Sequence, residues 1–286
     1  MTSSRSLTPP GSSLSEVLDS LRLVRVGDTS FTGTQLEAPG NHILGGHIAA
    51  QALFAAGQTA PGRAPHSMHT YFLRPGDASR PVEFEVVALQ QGRTFSARRV
   101  TARQDGEVLM ELMASFSAAH EQFEYQPPMP AVPEPESLPY VAPHFAETSA
   151  AGQGQWASMR WYERRIADTH SATSTIPPAR TRIWWRPDGE VPDDALLASC
   201  LTAYLSAVTL TEPAHAARPI AGGSALRDHA LWFHRPAVLT DWLLFDQSAP
   251  SSADGRCLAG GLMFNRGGDL VCTVKQELYF LPPRNR

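Results

Sequence analysis

Cys272, Val274, Gln276, Leu278 and Phe280 follow one another at every second position near the end of the chain. Side chains alternate on a strand, so these five share one face, and with four of them apolar that face points inward. Gln276 goes in with it. A buried amide without partners costs roughly 1–3 kcal/mol, so Gln276 is expected to bond something inside. Two other stretches, residues 47–57 and 194–210, are rich in Ala and Leu and predict helices. In the second, Cys200, Ala203, Tyr204 and Ala207 fall at i, i+3, i+4 and i+7, one stripe of a helix turned toward a core.

The pattern occurs twice. Tyr71, Phe72, Leu73, Arg74 and Pro75 in the first half are echoed by Trp232, Phe233, His234, Arg235 and Pro236 in the second. The turn glycines Gly106 and Gly268 follow the respective Phe by 34 and 35 residues, and each opens a strand-like run, 107–117 and 269–280. Each half thus reads as a helix followed by several strands ending in a hairpin. One helix and an antiparallel run of strands can bury themselves only by packing helix on sheet, an α+β arrangement. Equal offsets from the turn glycines set Ala114 of the first half opposite Gln276 of the second, so one copy carries the amide. The proline-rich stretch 126–143 suits neither a helix nor a central strand and reads as the connection. The expected division is an N-terminal segment 1–22, a first unit 23–125, a linker 126–160 and a second unit 161–286.

Composition narrows the function. With 42% hydrophobic and 18% charged residues the chain is packed rather than disordered. A formal charge of -4, with both signs interspersed, offers no basic stripe for nucleic acid. The polar start and the lack of a long uninterrupted apolar run predict no membrane span and a cytoplasmic protein. Cys200, Cys257 and Cys272 are an odd number without close spacing, so three free thiols are expected, and the scattered histidines give no metal pattern. Nucleophile-elbow, P-loop, zinc-protease and dinucleotide motifs are not found.

Several stretches together resemble the acyl-CoA thioesterase II (TesB-like) family: Gly45-Gly46-His47-Ile48-Ala49-Ala50-Gln51-Ala52-Leu53, Phe72-Leu73-Arg74-Pro75-Gly76-Asp77, Val191-Pro192-Asp193-Asp194, Asp228-His229-Ala230-Leu231-Trp232-Phe233-His234-Arg235-Pro236 and Asp241-Trp242-Leu243-Leu244. The resemblance implies a double hotdog: two tandem units, each a central helix wrapped by an antiparallel sheet. It implies an acyl-thioester hydrolase of lipid metabolism acting on acyl-CoA or an acyl-carrier-protein thioester, without metal or other cofactor, and assembled as a homo-oligomer. It also implies a water-holding site made of an Asp on the second helix, a Ser or Thr before the Asp-His motif, and a Gln in the last strand.

Carried over residue by residue, that site is depleted. Gln276, in Val274-Lys275-Gln276-Glu277, fits the family Gln. Ala207, in Ala203-Tyr204-Leu205-Ser206-Ala207, stands where the family has Asp, and a positioned carboxylate is worth roughly 10²–10⁴-fold as a general base. Leu226 stands where the hydroxyl is expected, with Ser224 the nearest substitute through a shift allowed by Gly222-Gly223. Gln276 and Ala207 are expected to line one space beneath the second sheet. Gly45 and Gly46 would let a ligand approach the backbone at a helix start, where partial positive charge favours an oxyanion. Asp228 joins them as a substrate-side or supporting group; it and His229, adjacent on a strand, point to opposite faces. Ser206 is read as a hydroxyl bonded to its own helix. Two alternatives stay open: a non-catalytic acyl-thioester binding protein, and a Cys200-dependent acyltransferase.

Overall fold

In a computed structural model, described for residues 12–36, 41–118, 123–140, 159–170, 179–216 and 224–281, the strands form one antiparallel sheet of twelve. In chain order they are β1 (Val24–Arg25), β2 (Ser30–Gly33), β3 (Ala64–Phe72), β4 (Val82–Gln91), β5 (Phe95–Gln104), β6 (Glu107–Ser117), β7 (Tyr162–His170), β8 (Ala179–Pro187), β9 (Ser224–Phe233), β10 (Leu243–Ala253), β11 (Arg256–Asn265) and β12 (Leu270–Phe280). Their order across the sheet is β1-β2-β4-β5-β6-β3-β9-β12-β11-β10-β8-β7. Outward from the β3·β9 junction, both halves run through their strands in the same sequence. His69 pairs with Ala230 at the centre of that junction, and these occupy equivalent places in the two copies. The repeat read from the sequence is therefore a pseudo-twofold axis through this pair.

The helices are α1 (Leu14–Leu21), α2 (Gly45–Gln58), α3 (Ala195–Thr209) and the short α4 (Glu212–Ala216). A Ser13/Glu16 capping box starts α1, and Asp194 caps α3 by accepting from Leu196 N and Leu197 N. The central pair, α2 and α3, run antiparallel in close contact. A Cβ on Gly46 would lie 2.6 Å from Tyr204 O and 3.1 Å from Ala207 Cβ, and one on Gly57 would lie 2.5 Å from Leu196. Glycine is what allows this approach. From Cys200 to Thr209 every residue of α3 is buried, so the helix has no polar face and the predicted stripe is one side of a fully enclosed rod. By length and composition the stretch Ala195–His215 could cross a membrane, which the absence of a long apolar run did not predict; here it is the buried core helix.

The hairpin predicted at Asp105-Gly106 is present, with φ of 51° and 82° at those residues, and Gly268 likewise has positive φ at 98°. After β6, the described proline-rich residues cross to the outer face of the second half. Met129, Val132 and Leu138 pack on a satellite core of Trp184, Trp242, Leu244, Phe264 and Leu270. Trp184 Nε1 donates to Pro133 O, and the Gln126 amide spans Leu270 N and Gly268 O. Residues 141–158 of the expected linker lie outside the described residues.

Candidate functional site

Gln276 is fully buried on the inner face of β12, and β-pairing sets it beside His229 of β9. Its Oε1 lies 2.9 Å from His229 Nδ1, and His229 Nε2 lies 3.1 Å from Ser206 Oγ on α3. An amide oxygen can only accept, so Nδ1 carries the imidazole proton and Nε2 accepts from the Ser206 hydroxyl. That hydroxyl also lies 3.0 Å from Ala203 O, giving its proton two acceptors. Burial depresses the His229 pKa to about 4 against a smaller raising effect of Gln276, so the ring is neutral at pH 7. The far end of the amide, Gln276 Nε2, is buried with no partner among the described residues.

The expected meeting of Gln276 with Ala207 is thus indirect. The His229 ring stands between the amide and α3 and reaches the helix at Ser206, the residue before Ala207. Ser206, read from the sequence as bonded to its own backbone, makes that bond and the one to His229 as well. His229 is the residue that sequence reasoning missed; the usable signal was its register opposite Gln276, which no linear pattern displays.

The start of α2 reaches the same turn of α3. Gly46 touches Ala207, while a Cβ on Gly45 would lie 2.8 Å from Leu226 and 3.2 Å from Phe72. Both glycines, Ala207 and Leu226 therefore meet where the two halves join. Leu44 caps α2 without a side-chain bond, so the Gly45 and Gly46 N–H groups have no intrahelical acceptor. The N-terminal half supplies backbone donors, and the C-terminal half supplies the amide.

Two expectations need correction, and one alternative loses its basis. Ser224 does not join Gln276: it pairs with Phe280, four residues further along β12 and about 13 Å away at strand rise. Its hydroxyl instead meets His215 Nε2 at 3.1 Å. The Gly222-Gly223 hinge lies outside the described residues. Asp228 does not face the inner layer either: it accepts from Glu277 N at 2.8 Å, beside a bulge that leaves Arg227 unpaired in the register. The bulge is why Leu226 and His229, three apart, face the same side. Cys200 is fully buried, and both burial and the Asp194 carboxylate push its thiol up, away from the thiolate a nucleophile needs. Cys257 and Cys272 are free and buried too, their thiols raised by burial.

A second buried chain lies in the first half. His47, on α2, has Nε2 at 2.9 Å from Ser20 Oγ and Nδ1 at 3.1 Å from Gln35 Oε1. Here the amide continues: Gln35 Nε2 donates to Gln51 Oε1, and Gln51 Nε2 donates to Ser20 O and Thr34 O. Burial depresses the His47 pKa to about 3.

Two helix-on-sheet units fused along one sheet, with a polar chain buried beneath the second, define a double hotdog protein. Residues 35–117 match the acyl-CoA thioesterase N-terminal domain family and residues 163–279 the acyl-CoA thioesterase family. The chain is 34% identical to acyl-CoA thioesterase 2 of Haemophilus influenzae, over 92% of this chain and 96% of that one. Among solved structures it resembles a TesB protein of Mycobacterium avium subsp. paratuberculosis at 60% identity and TM-score 0.84, covering 94% of this chain and 100% of that one. It also resembles acyl-CoA thioesterase II TesB2 of Mycobacterium marinum at 34% identity and TM-score 0.78, covering 94% and 99%. This chain belongs to the TesB-like acyl-CoA thioesterase II family.

Proposed function

We propose that the protein hydrolyses acyl thioesters, carried on coenzyme A or a carrier protein, at the junction of its two halves. The observation that carries this reading is the unpartnered Gln276 amide nitrogen, held in a fixed orientation by His229 and Ser206. With its oxygen engaged, Gln276 offers N–H donors to a thioester carbonyl or to the attacking water. The Gly45 and Gly46 amides at the start of α2 offer a second set of donors for the developing oxyanion. Water adds to the carbonyl carbon, the C–S bond breaks, and the leaving thiolate takes up the proton that the water loses. Ala207 provides no carboxylate to accept the proton of the water, so turnover is roughly 10²–10⁴-fold below that of a site that has one. His229 does not replace it: with a pKa of about 4, the buried ring resists the positive charge that a base must take on.

Release of free thiol from a series of acyl-CoA substrates tests the reading, with Gln276→Ala as control. Turnover that survives unchanged in the variant removes Gln276 from the mechanism. The Ala207 methyl favours a second reading, an acyl-thioester binding protein without turnover. That reading expects acyl-CoA to raise the melting temperature while no thiol is released.

A further inference from the structure

We propose that Gln247 and Thr181 form a second polar subsite in the inner layer of the C-terminal half, which takes a hydroxyl group carried well down the acyl chain. This rests on the acyl-thioester reading and names the class of acyl group it serves.

Gln247 is fully buried near the middle of β10, on the face that carries Leu243, Phe245 and Ala249 into the main core. Neither its Oε1 nor its Nε2 has a partner among the described residues. Thr181 pairs with it directly on β8, is 2% exposed, and its Oγ1 is unpartnered as well. α4 packs across β8, β10 and β11 on this side of the sheet. A donor, an acceptor and a hydroxyl thus face the same layer, each bearing a desolvation penalty with no bond in return.

The fold does not demand them. In the first half Val86 of β4 pairs with Val100 of β5 as Gln247 pairs with Gly261 of β11, each pair of positions displaced by the 161 residues that also separate Phe72 from Phe233. Val86 is buried hydrocarbon. The same place can therefore be filled without a polar group, and the second half spends stability on an amide there.

The position suits an acyl chain that starts at Gln276. Gln276 pairs with Ala259 of β11, whereas Gln247 pairs with Gly261, two strands across and two residues along. Strand spacing and rise put the two amides about 12 Å apart. A hydroxyl both donates and accepts, which matches Gln247 and Thr181 together. An unsubstituted chain laid against them leaves the amide and hydroxyl unpaired, the situation in which sites built for a polar group reject analogues that lack it.

The test uses the full chain with decanoyl-CoA and ω-hydroxydecanoyl-CoA, and with their non-hydrolysable thioether analogues for thermal-shift binding. The hydroxylated member is expected to show kcat/KM at least about tenfold higher and to bind more tightly. Gln247→Val, which copies Val86, is expected to abolish or reverse that preference and to raise Tm; Thr181→Val should shift the preference in the same direction. Equal ranking of the pair by wild type and Gln247→Val overturns the proposal. So does a lower Tm in Gln247→Val, which would mean that buried water holds the amide as part of the scaffold. If neither thioester is hydrolysed, the hydrolytic reading fails, and the binding preference of the thioethers still decides the subsite.

Discussion

Ser20–His47–Gln35 in the first half and Ser206–His229–Gln276 in the second use the same three residue types in the same order. In each, an amide oxygen faces Nδ1 and a serine hydroxyl faces Nε2 of a buried neutral histidine. They differ at one end. Gln35 passes its N–H to Gln51, which closes the chain on backbone carbonyls, whereas the Gln276 nitrogen ends without a partner among the described residues. A closed chain returns the desolvation cost of every member and ties α1 to α2. An open chain keeps a donor free for a ligand. The site is thus marked less by which polar residues are buried than by which are left unsatisfied.

Adding the missing carboxylate should have the largest effect on this contrast. Ala207→Asp is expected to raise acyl-CoA hydrolysis by about 10²-fold or more, because the new group would stand beside Gly46 and one residue from the open chain. An unchanged rate would break the assignment of Ala207 to the site. Gln276→Ala should lower kcat by about 10²–10³-fold, the usual effect of losing one preorganised donor, and should also cost roughly 1–3 kcal/mol in urea unfolding, because it strands the buried His229 Nδ1–H.

The matching change in the closed chain should cost stability without touching turnover. Gln51→Leu strands Gln35 and two carbonyls and should cost about 2–3 kcal/mol in urea unfolding, with Gln276-dependent turnover retained per folded molecule. A loss of turnover per folded molecule in Gln51→Leu as large as that in Gln276→Ala would erase the distinction between the two chains. The smallest effect is on pH dependence. The folded pKa values of His47 and His229, about 3 and about 4, lie below the ordinary 6.5, so the unfolded chain binds more protons at intermediate pH. Stability therefore falls as pH drops below 6.5, through about 4 for His229 and about 3 for His47. The two together should lose about 2 kcal/mol between pH 6.5 and 5.5. Chemical denaturation at the two values measures it, and a flat profile would mean that the rings are not held neutral.

Much of the fold was legible in the chain because its signals are local. The aromatic-Arg-Pro repeat, the turn glycines and the helical stretches each act within a few residues, and α2, α3, β6 and β12 lie where periodicity puts them. The inward direction of Gln276 followed from alternation, and the reading of Ala207 as a site position from setting residues 203–207 beside the motif of the family that the sequence resembles. Ser224 misled because its place opposite Phe280, four residues of β12 beyond Gln276, keeps it from the amide, and Asp228 because it alternates away from inward-facing His229; both depend on a pairing register that residues 224–229 do not announce. His229 was passed over because its two partners are 23 and 47 residues away in sequence.

The amino-acid sequence by itself determined the doubled α+β architecture and the burial of Gln276, since each depends on residue identity and short-range periodicity. Tertiary structure decided that an imidazole bridges that amide to α3, that the start of α2 reaches the same place from the other half, and which buried amides lack partners. Those are properties of strand register and helix packing, which bring distant residues to 2.9 and 3.1 Å from one another and cannot be counted along the chain.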